Sequence, residues 1–353
     1  MRKALRKRLL ATLAAFVGTS IVIAAASTAA ARETTGEERA EIAGQSLIGS
    51  LAPKLVLKTI DGQAIDLGKL YGKKAVYLKF WATWCAPCRE QMPHFEHVYE
   101  TAGPDLAVIA VNIGLNDPLE DVQKFRSESR IKMPIVIDDG SLGEAFHLRV
   151  TPQHVVIGRN GRILYVGHLA DQRLEDALVA ARMPVKTDSP LSSADVSIKT
   201  AFYRVGDQLP EISAQTLDGA TFRSRDSHVN RPTVLVFMDA FCEWYLETSR
   251  PTVAKRCRAV REQVATLAQE RTDVRWLGIA AGVWTTRDDL SEYRDKAKPN
   301  IPLTLDESGE LFRTFRVKSV PTLLIVDTTG KIVRRIEGFD PQLPVELETV
   351  ARQ

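Results

Sequence analysis

Two cysteines, Cys85 and Cys88, are separated by two residues in the segment WATWCAPC, and this spacing permits several kinds of chemistry. A Cys-x-x-Cys pair can hold a metal ion, form a structural crosslink, or open and close as a redox disulfide. The pair follows an apolar, β-rich run, Ala75–Phe80, and begins a helical pattern. Cys85 is therefore predicted at a helix N-terminus, where backbone N–H groups and the helix dipole favour a thiolate. Pro87 fits the first turn, where its missing N–H is not needed.

This placement favours disulfide exchange. A thiolate at Cys85 could attack a disulfide in another molecule, and Cys88, one helical turn later, could resolve the mixed disulfide. Pro93 is expected to kink the helix. A purely structural Cys85–Cys88 crosslink is disfavoured, because so short a loop constrains the unfolded chain little.

Two histidines after the cysteines raise the alternative of a metal site. On a helix of about 100° per residue, His97 lies about 180° around the axis from Cys88, and His94 about 240°. The spacing also falls short of the zinc-finger pattern. We therefore expect no metal here and interpret both histidines as solvent-facing.

The N-terminal segment has the pattern of an export signal. Residues 1–31 carry five basic residues, an apolar run over 9–26 of about 18 residues, and small residues at Ala29-x-Ala31. This run fits a cleaved signal peptide and also a retained membrane anchor. In both cases the rest of the chain is expected outside the cytoplasm, in the periplasm. Without the five positive charges the net charge of +3 becomes −2, which excludes the basic patch of a nucleic-acid-binding protein.

The chain of 353 residues is long enough for two domains, and it repeats itself. Asp61-Gly62 corresponds to Asp218-Gly219 and Cys85 to Cys242, both at a spacing of 157 residues. Each copy begins with an apolar strand before its cysteine and ends with two strands joined at a glycine. The pattern predicts an α/β fold in which a βαβ unit and an αββ unit form a mixed β-sheet flanked by helices. The predicted boundaries are a signal peptide or anchor at 1–31, domains at 45–183 and 205–347, and a linker at 184–204.

The motif WCAPC with Pro93, and Thr151-Pro152 before a closing hairpin, resemble the thioredoxin fold. The export signal and the lead-in segment LVLKTIDG resemble its exported TlpA/ResA/CcmG-like branch of thiol–disulfide oxidoreductases. The resemblance covers residues 45–180 and recurs in degenerate form over 205–345, so it implies two tandem thioredoxin-like folds. It implies that Cys85 is the nucleophile and Cys88 the resolving thiol. It also implies a substrate groove lined by Thr151 and the cis-proline Pro152, with Trp84 beside an exposed sulfur.

Two positions depart from the family pattern. Lys79 stands where the superfamily usually has Asp or Asn, and a buried lysine there would lose its proton or favour the thiolate. We expect Lys79 to lower the pKa of Cys85; the alternative is that it extends from the sheet to water. Gln153-His154 replaces a Thr and an apolar residue, which could alter the groove.

The second copy keeps only part of the motif. Tyr245 occupies the resolving position after Cys242, so the Cys-x-x-Cys cycle cannot run there. Asp239 replaces the Thr that a peroxidatic cysteine would need. Val320-Pro321 preserves the cis-proline signature, so we expect the fold to be intact and the domain to bind or position a partner.

Cys257 lies too far from Cys242 for a disulfide if one helix joins them, at about 22 Å. Because Pro251 disfavours a helix at Arg250 and suits the first position of a new one, we expect a loop over 243–250. The expected consequence is a Cys242–Cys257 disulfide, structural or slowly redox-active. A copper site would need a ligand such as His228.

These observations predict a periplasmic oxidoreductase that reduces disulfides in client proteins and is recharged by a membrane thiol-reductant system. Family likeness suggests clients such as apocytochrome c or copper-centre proteins. No cofactor, metal or nucleic acid is implied, and contact with the membrane is expected only through residues 9–26. The alternative is a copper-handling or partner-binding module whose second domain is the binding part.

Overall fold

The computed structural model describes residues 35–184, 201–224 and 231–352. The predicted signal or anchor lies outside the described residues, as does the greater part of the predicted linker. Among the described residues, no helix is long and apolar enough to cross a membrane. The domain boundaries stay predictions.

The first half of the chain forms a five-stranded sheet in the order β5-β4-β3-β6-β7, preceded by the hairpin β1–β2. Strands β3, β4 and β5 are parallel, and β6 and β7 run antiparallel to their neighbours. The elements are α1 (Gly36–Gln45), β1 (Val56–Lys58), β2 (Ala64–Asp66), α2 (Leu67–Leu70), β3 (Ala75–Trp81), α3 (Ala86–Glu90), α4 (Met92–Thr101), β4 (Leu106–Asn112), α5 (Leu119–Glu128), β5 (Ile135–Ile137), α6 (Ser141–Ala145), β6 (Gln153–Ile157), β7 (Ile163–Gly167) and α7 (Gln172–Arg182).

The second half repeats this topology in a sheet of order β12-β11-β10-β13-β14. Its central strand β10 is parallel to β11 and antiparallel to β13, as β3 is to β4 and β6. The elements are β8 (Ser213–Gln215), β9 (Thr221–Arg223), β10 (Thr233–Met238), α8 (Cys242–Ser249), α9 (Pro251–Glu270), β11 (Arg275–Ala281), α10 (Arg287–Ala297), β12 (Leu303–Asp306), α11 (Glu310–Thr314), β13 (Thr322–Val326), β14 (Ile332–Glu337) and α12 (Leu343–Ala351).

The predicted α/β architecture with a mixed sheet is confirmed, but each sheet has one strand more than the sequence indicated. The additional strands are β5 and β12, which extend the parallel side of each sheet. They have three and four residues, too few for a periodic pattern to be seen.

The predicted loop over 243–250 is wrong, because residues 242–249 form helix α8. The chain breaks only at Arg250, whose backbone is not helical (φ −141°, ψ 60°). Pro251 then begins α9, as expected from its preference for the first helical turn. The connection between α8 and α9 is therefore the single non-helical residue Arg250, and not a loop.

The two halves contact each other through reciprocal loops. After β4, Asn116 donates its backbone N–H to Lys318 O (2.8 Å), and its Oδ1 accepts the N–H of Val320 (3.0 Å). After β11, Trp284 donates its backbone N–H to Arg149 O (2.8 Å). Asn116 and Trp284 both have positive φ angles, of 50° and 72°. Each half thus binds the segment that precedes the closing strands of the other.

We expect Asn116→Gly to weaken this interface, because Val320 is fully buried and its N–H would lose its acceptor. An unsatisfied buried donor costs about 1–3 kcal/mol of unfolding free energy, and Gly tolerates the positive φ. Denaturant unfolding measures the loss. Asn300→Gly is the matched control, since Asn300 also has a positive φ (58°) but is exposed. Equal stability of the two variants would contradict the prediction.

Candidate active site

Cys85 caps the N-terminus of α3 in the structure. Its Sγ accepts the N–H of Cys88 at 3.2 Å, and the two cysteines form a disulfide with their Cα atoms 5.2 Å apart. Pro87 lies in the first turn of α3, and Pro93 lies just after the break at Gln91 that separates α3 from α4. The strand-to-helix junction therefore directs the backbone N–H groups of α3 at the Cys85 sulfur, where they favour a thiolate once the disulfide is reduced.

The other residues of the predicted groove surround this sulfur. Cys85 Sγ lies 3.5 Å from the carbonyl oxygen of Thr151, and the Thr151–Pro152 peptide bond is cis. Trp84 is buried and donates its indole N–H to Leu115 O at 2.9 Å. The structure thus brings Trp84, Cys85, Thr151 and Pro152 together, although their roles in binding a client stay predictions.

Lys79 is buried beneath the disulfide. Its side chain is inaccessible to solvent, and Nζ donates to Cys88 O at 3.4 Å and lies 5.3 Å from the centre of the Phe95 ring. The alternative in which Lys79 extends to water is therefore wrong, because α3 and α4 cover this face of β3. Burial lowers the pKa of Lys79 to about 7, so the ammonium and the neutral amine both exist near neutral pH.

His154 faces Lys79 across the β3–β6 pair and lies under the helix break rather than in the groove. Its Nε2 is 2.8 Å from Gln91 Oε1, which can only accept, and its Nδ1 is 2.7 Å from the Tyr77 hydroxyl. The imidazole therefore donates to Gln91 and accepts from Tyr77 as a neutral ring. Burial, and then the charge of Lys79, lower the pKa of His154 well below its usual value. Sequence reasoning found His154 only as an unusual residue, and missed Tyr77 and Gln91.

The comparisons with known proteins agree with this geometry. Residues 47–180 match the Redoxin family model, and residues 205–335 match that of the AhpC/TSA family. The chain is 37% identical over 132 residues to the thiol-disulfide oxidoreductase ResA of Halalkalibacterium halodurans, which covers 36% of this chain and 73% of the relative. The chain belongs to the ResA-like thiol–disulfide oxidoreductases.

Two further proteins resemble parts of this chain. The thioredoxin-like protein YneN of Bacillus subtilis is 34% identical over 133 residues, which are 37% of this chain and 78% of that protein. The crystal structure of a thioredoxin-family thiol:disulfide interchange protein from Chlorobium tepidum TLS is 25% identical. It covers 38% of this chain and 97% of its own, with a TM-score of 0.35. The predicted tandem pair of thioredoxin-like folds in this oxidoreductase is confirmed.

The sulfur of Cys85, expected to be exposed, is completely buried. Tyr245 from the second half accepts the backbone N–H of Ala86 at 3.3 Å, and its ring meets that of Trp84 edge-on with centroids 6.3 Å apart. Tyr245 corresponds to Cys88 in the repeat, so the degenerate motif of the second half lies against the intact motif of the first. Tyr245 thus packs against both neighbours of Cys85 in the sequence, Trp84 and Ala86.

Arg250, at the break between α8 and α9, contacts residues of the first half near the WCAPC motif. Its guanidinium donates to Thr83 Oγ1 at 2.6 Å and to Asp117 Oδ1 at 3.0 Å, and it forms an ion pair with Asp121. The Asp117 carboxylate is buried and also accepts the N–H of Thr83 at 2.7 Å. Burial raises the pKa of Asp117, and these hydrogen bonds and the charge of Arg250 oppose that effect. No motif in the sequence indicated this contact, because Arg250 lies 129 to 167 residues from its three partners.

The remaining candidate residues are placed as follows. Cys242 and Cys257 form a disulfide with Cα atoms 6.2 Å apart, and the Val320–Pro321 bond is cis. His94 is not simply solvent-facing, since its Nε2 lies 2.6 Å from Glu175 Oε1, whereas His97 is exposed. Within the described ranges, no group of three or more metal-ligating side chains could hold a metal ion. His228, the ligand considered for copper, lies outside the described residues.

We expect Tyr245→Ala to raise the alkylation rate of Cys85 in the reduced protein several-fold. Tyr245 is 42% exposed, so its removal opens a route from solvent to the buried sulfur. The matched control is Trp244→Ala, because Trp244 is similarly exposed (48%) but contacts Tyr293 instead of Trp84. If both variants react at the wild-type rate, Tyr245 does not limit access.

We expect Lys79→Met to raise the pKa of Cys85, measured from thiolate absorbance. Below about pH 7 Lys79 is mainly an ammonium ion, and its positive charge favours the thiolate. Above that pH the charge and its effect are lost. Lys73→Met, which removes an exposed charge near the start of β3, is the control. An unchanged thiolate pKa in Lys79→Met would rule out the tuning role.

Proposed function

We propose that this protein reduces disulfides in client proteins of the periplasm through the Cys85/Cys88 dithiol. The observation that carries the proposal is the position of Cys85 Sγ, which is held by the N-terminus of α3 and lies 3.5 Å from Thr151 O. A sulfur in this position combines a stabilised thiolate with a neighbouring extended segment, along which a client polypeptide could align.

The proposed reaction moves two electrons from the protein to the client. The Cys85 thiolate attacks one sulfur of the client disulfide, forms a mixed disulfide and releases the other client sulfur as a thiolate. Cys88 then loses its proton and attacks Cys85 Sγ, so that the second client thiolate leaves and the Cys85–Cys88 disulfide forms. Both client thiolates take up protons. Lys79 acts here as a positioning residue that favours the thiolate forms of the dithiol from beneath.

The N-terminal sequence pattern supports the proposed location, and the family resemblance supports the proposed clients and recharging. The N-terminal pattern supports export, after which the working domains lie in the periplasm. A membrane thiol-reductant system would return the Cys85–Cys88 disulfide to the dithiol. Apocytochrome c and copper-centre proteins are the candidate clients, because exported reductases of this family type are expected to serve cysteine-containing cofactor sites.

Because Tyr245 and Arg250 hold the second half against the motif, we propose that this half governs which clients reach Cys85. The alternative function, a copper-handling or partner-binding module, assigns the activity to the second half itself. Cys85→Ser should abolish function in a cell-based maturation assay if the dithiol carries it. Loss only on deletion of residues 205–345, with Cys85→Ser active, would favour the binding module.

The deciding measurement is the reduction potential of Cys85/Cys88 in the full chain carrying Cys242→Ser and Cys257→Ser, equilibrated in thiol buffers. We expect a value of about −270 to −230 mV, at which the disulfide is stable and the dithiol donates electrons. A value near −120 mV would mean that the reduced form is the stabilised one. The protein would then donate disulfides, and the proposed direction of electron flow would be reversed.

A further inference from the structure

The Cys242–Cys257 disulfide lies beside the cis-proline segment of the second half, as the Cys85–Cys88 disulfide does in the first half. Cys257 Sγ lies 3.8 Å from the carbonyl oxygen of Val320, and Cys85 Sγ lies 3.5 Å from that of Thr151. Val320 and Thr151 occupy the same place, two residues before the strand that pairs with the central strand of the sheet. The sulfur of Cys257 therefore has the same position relative to the cis-proline segment as the sulfur of Cys85 has in the first half. In the sequence repeat, however, Cys85 corresponds to Cys242 and not to Cys257.

The path of helix α9 explains why Cys257, rather than Cys242, lies beside the Val320 carbonyl. Cys257 lies in its second turn, and the reversal at Arg250 returns the chain so that α9 packs beside α8. Cys242 is the first residue of α8, where the positive end of the helix dipole stabilises a thiolate. A sulfur with a stabilised thiolate is the better leaving group in thiol–disulfide exchange. Cys257 is then the sulfur open to attack, and Cys242 the sulfur that leaves.

Cys257 belongs to the hydrophobic core, but polar groups also lie beside it. A small cavity next to Cys257 is lined by apolar side chains and by Asp239, Glu243, Arg261 and Tyr293. Glu243 pairs with Arg261 at 2.7 Å, while Asp239, partly buried, accepts the backbone N–H of Phe241 at 2.7 Å. Cys257 is 7% exposed, against 0% for Cys85. The second disulfide thus has at least as much contact with solvent as the first.

We propose that Cys242 and Cys257 form a second dithiol–disulfide centre, which accepts electrons from a thiol- or dithiol-bearing partner through Cys257. The partner thiolate attacks Cys257 Sγ, the Cys242–Cys257 bond breaks, and Cys242 leaves as a thiolate that takes up a proton. A second partner thiol then attacks the mixed disulfide and releases Cys257. Two electrons and two protons pass to the protein, and the partner becomes a disulfide. This centre is independent of the proposed function, because it uses neither Cys85 nor Cys88.

The test uses the full chain carrying Cys85→Ser and Cys88→Ser, which leaves the second half intact. The protein is equilibrated in glutathione and dithiothreitol buffers without denaturant, the thiols are trapped by alkylation, and mass spectrometry counts them. We expect Cys242 and Cys257 to convert together and reversibly between disulfide and dithiol, while the circular dichroism spectrum stays folded. A disulfide that resists reduction until the chain is unfolded would be a structural crosslink, and the proposal would fail.

Trapping of the first intermediate in the same background identifies the attacked sulfur. The oxidised protein is treated with reduced glutathione, the reaction is quenched by acid and alkylation, and peptide mass spectrometry locates the bound glutathione. We expect glutathione on Cys257 at least about tenfold more often than on Cys242, because a thiolate at Cys242 is the better leaving group and Cys257 lies beside the cavity. Glutathione mainly on Cys242 would overturn the assignment. If no mixed disulfide accumulates, the buffer titration of the intact pair still decides whether the centre is redox-active.

Discussion

The burial of the Cys85–Cys88 disulfide under the second half is the constraint on which the rest of the structure depends. A thioredoxin-like centre must present one sulfur to its client, yet here Tyr245 lies against Ala86 and Trp84, and both cysteines are inaccessible. The reciprocal contacts of Asn116 and Trp284 with the opposite half align the two sheets for this contact. Arg250 adds a charged contact to Asp117, which would otherwise be a buried carboxylate without a counter-ion. Removing Arg250 would leave this carboxylate buried and unpaired, which costs more than the intact pair contributes.

The electrostatics beneath the disulfide are set by a cation. Lys79 is enclosed by the sheet and by α3 and α4. His154, which pairs with it across the sheet, has a pKa lowered by burial and then by the charge of Lys79, and the neutral ring bonds Tyr77 and Gln91. A buried ammonium is costly, which is why the pKa of Lys79 falls to about 7. The same charge favours a thiolate above it. Modest changes of pH near 7 therefore alter the charge of Lys79 beneath the dithiol.

Duplication gave the two halves one scaffold and different chemistry. Both halves keep the central strand and the helix at the first cysteine. Both also keep a cis-proline before the closing strands, Pro152 in the first half and Pro321 in the second. In the second half Tyr245 stands at the resolving position and contacts the motif of the first half. Cys257, from the longer helix α9, pairs with Cys242 instead. In both halves a sulfur thus lies beside the carbonyl oxygen that precedes the cis-proline. Cys85 supplies it in the first half, and Cys257, at a different place in the repeat, supplies it in the second.

The sequence by itself determined the elements whose signals are local. The apolar runs and glycine-containing turns predicted the central strands and closing hairpins, and the WCAPC motif predicted a cysteine at the N-terminus of α3, because helix starts, turns and strand periods depend on neighbouring residues. The short strands β5 and β12 were not predicted, since three or four residues carry no period of their own and pair only where a sheet edge is present. Only the tertiary structure decided that Lys79 is buried, that Tyr245 packs against Trp84 and Ala86, and that Arg250 reaches Asp117. These depend on groups far apart in the chain, whose distances are fixed by the packing of two folded halves and not by any spacing along the sequence.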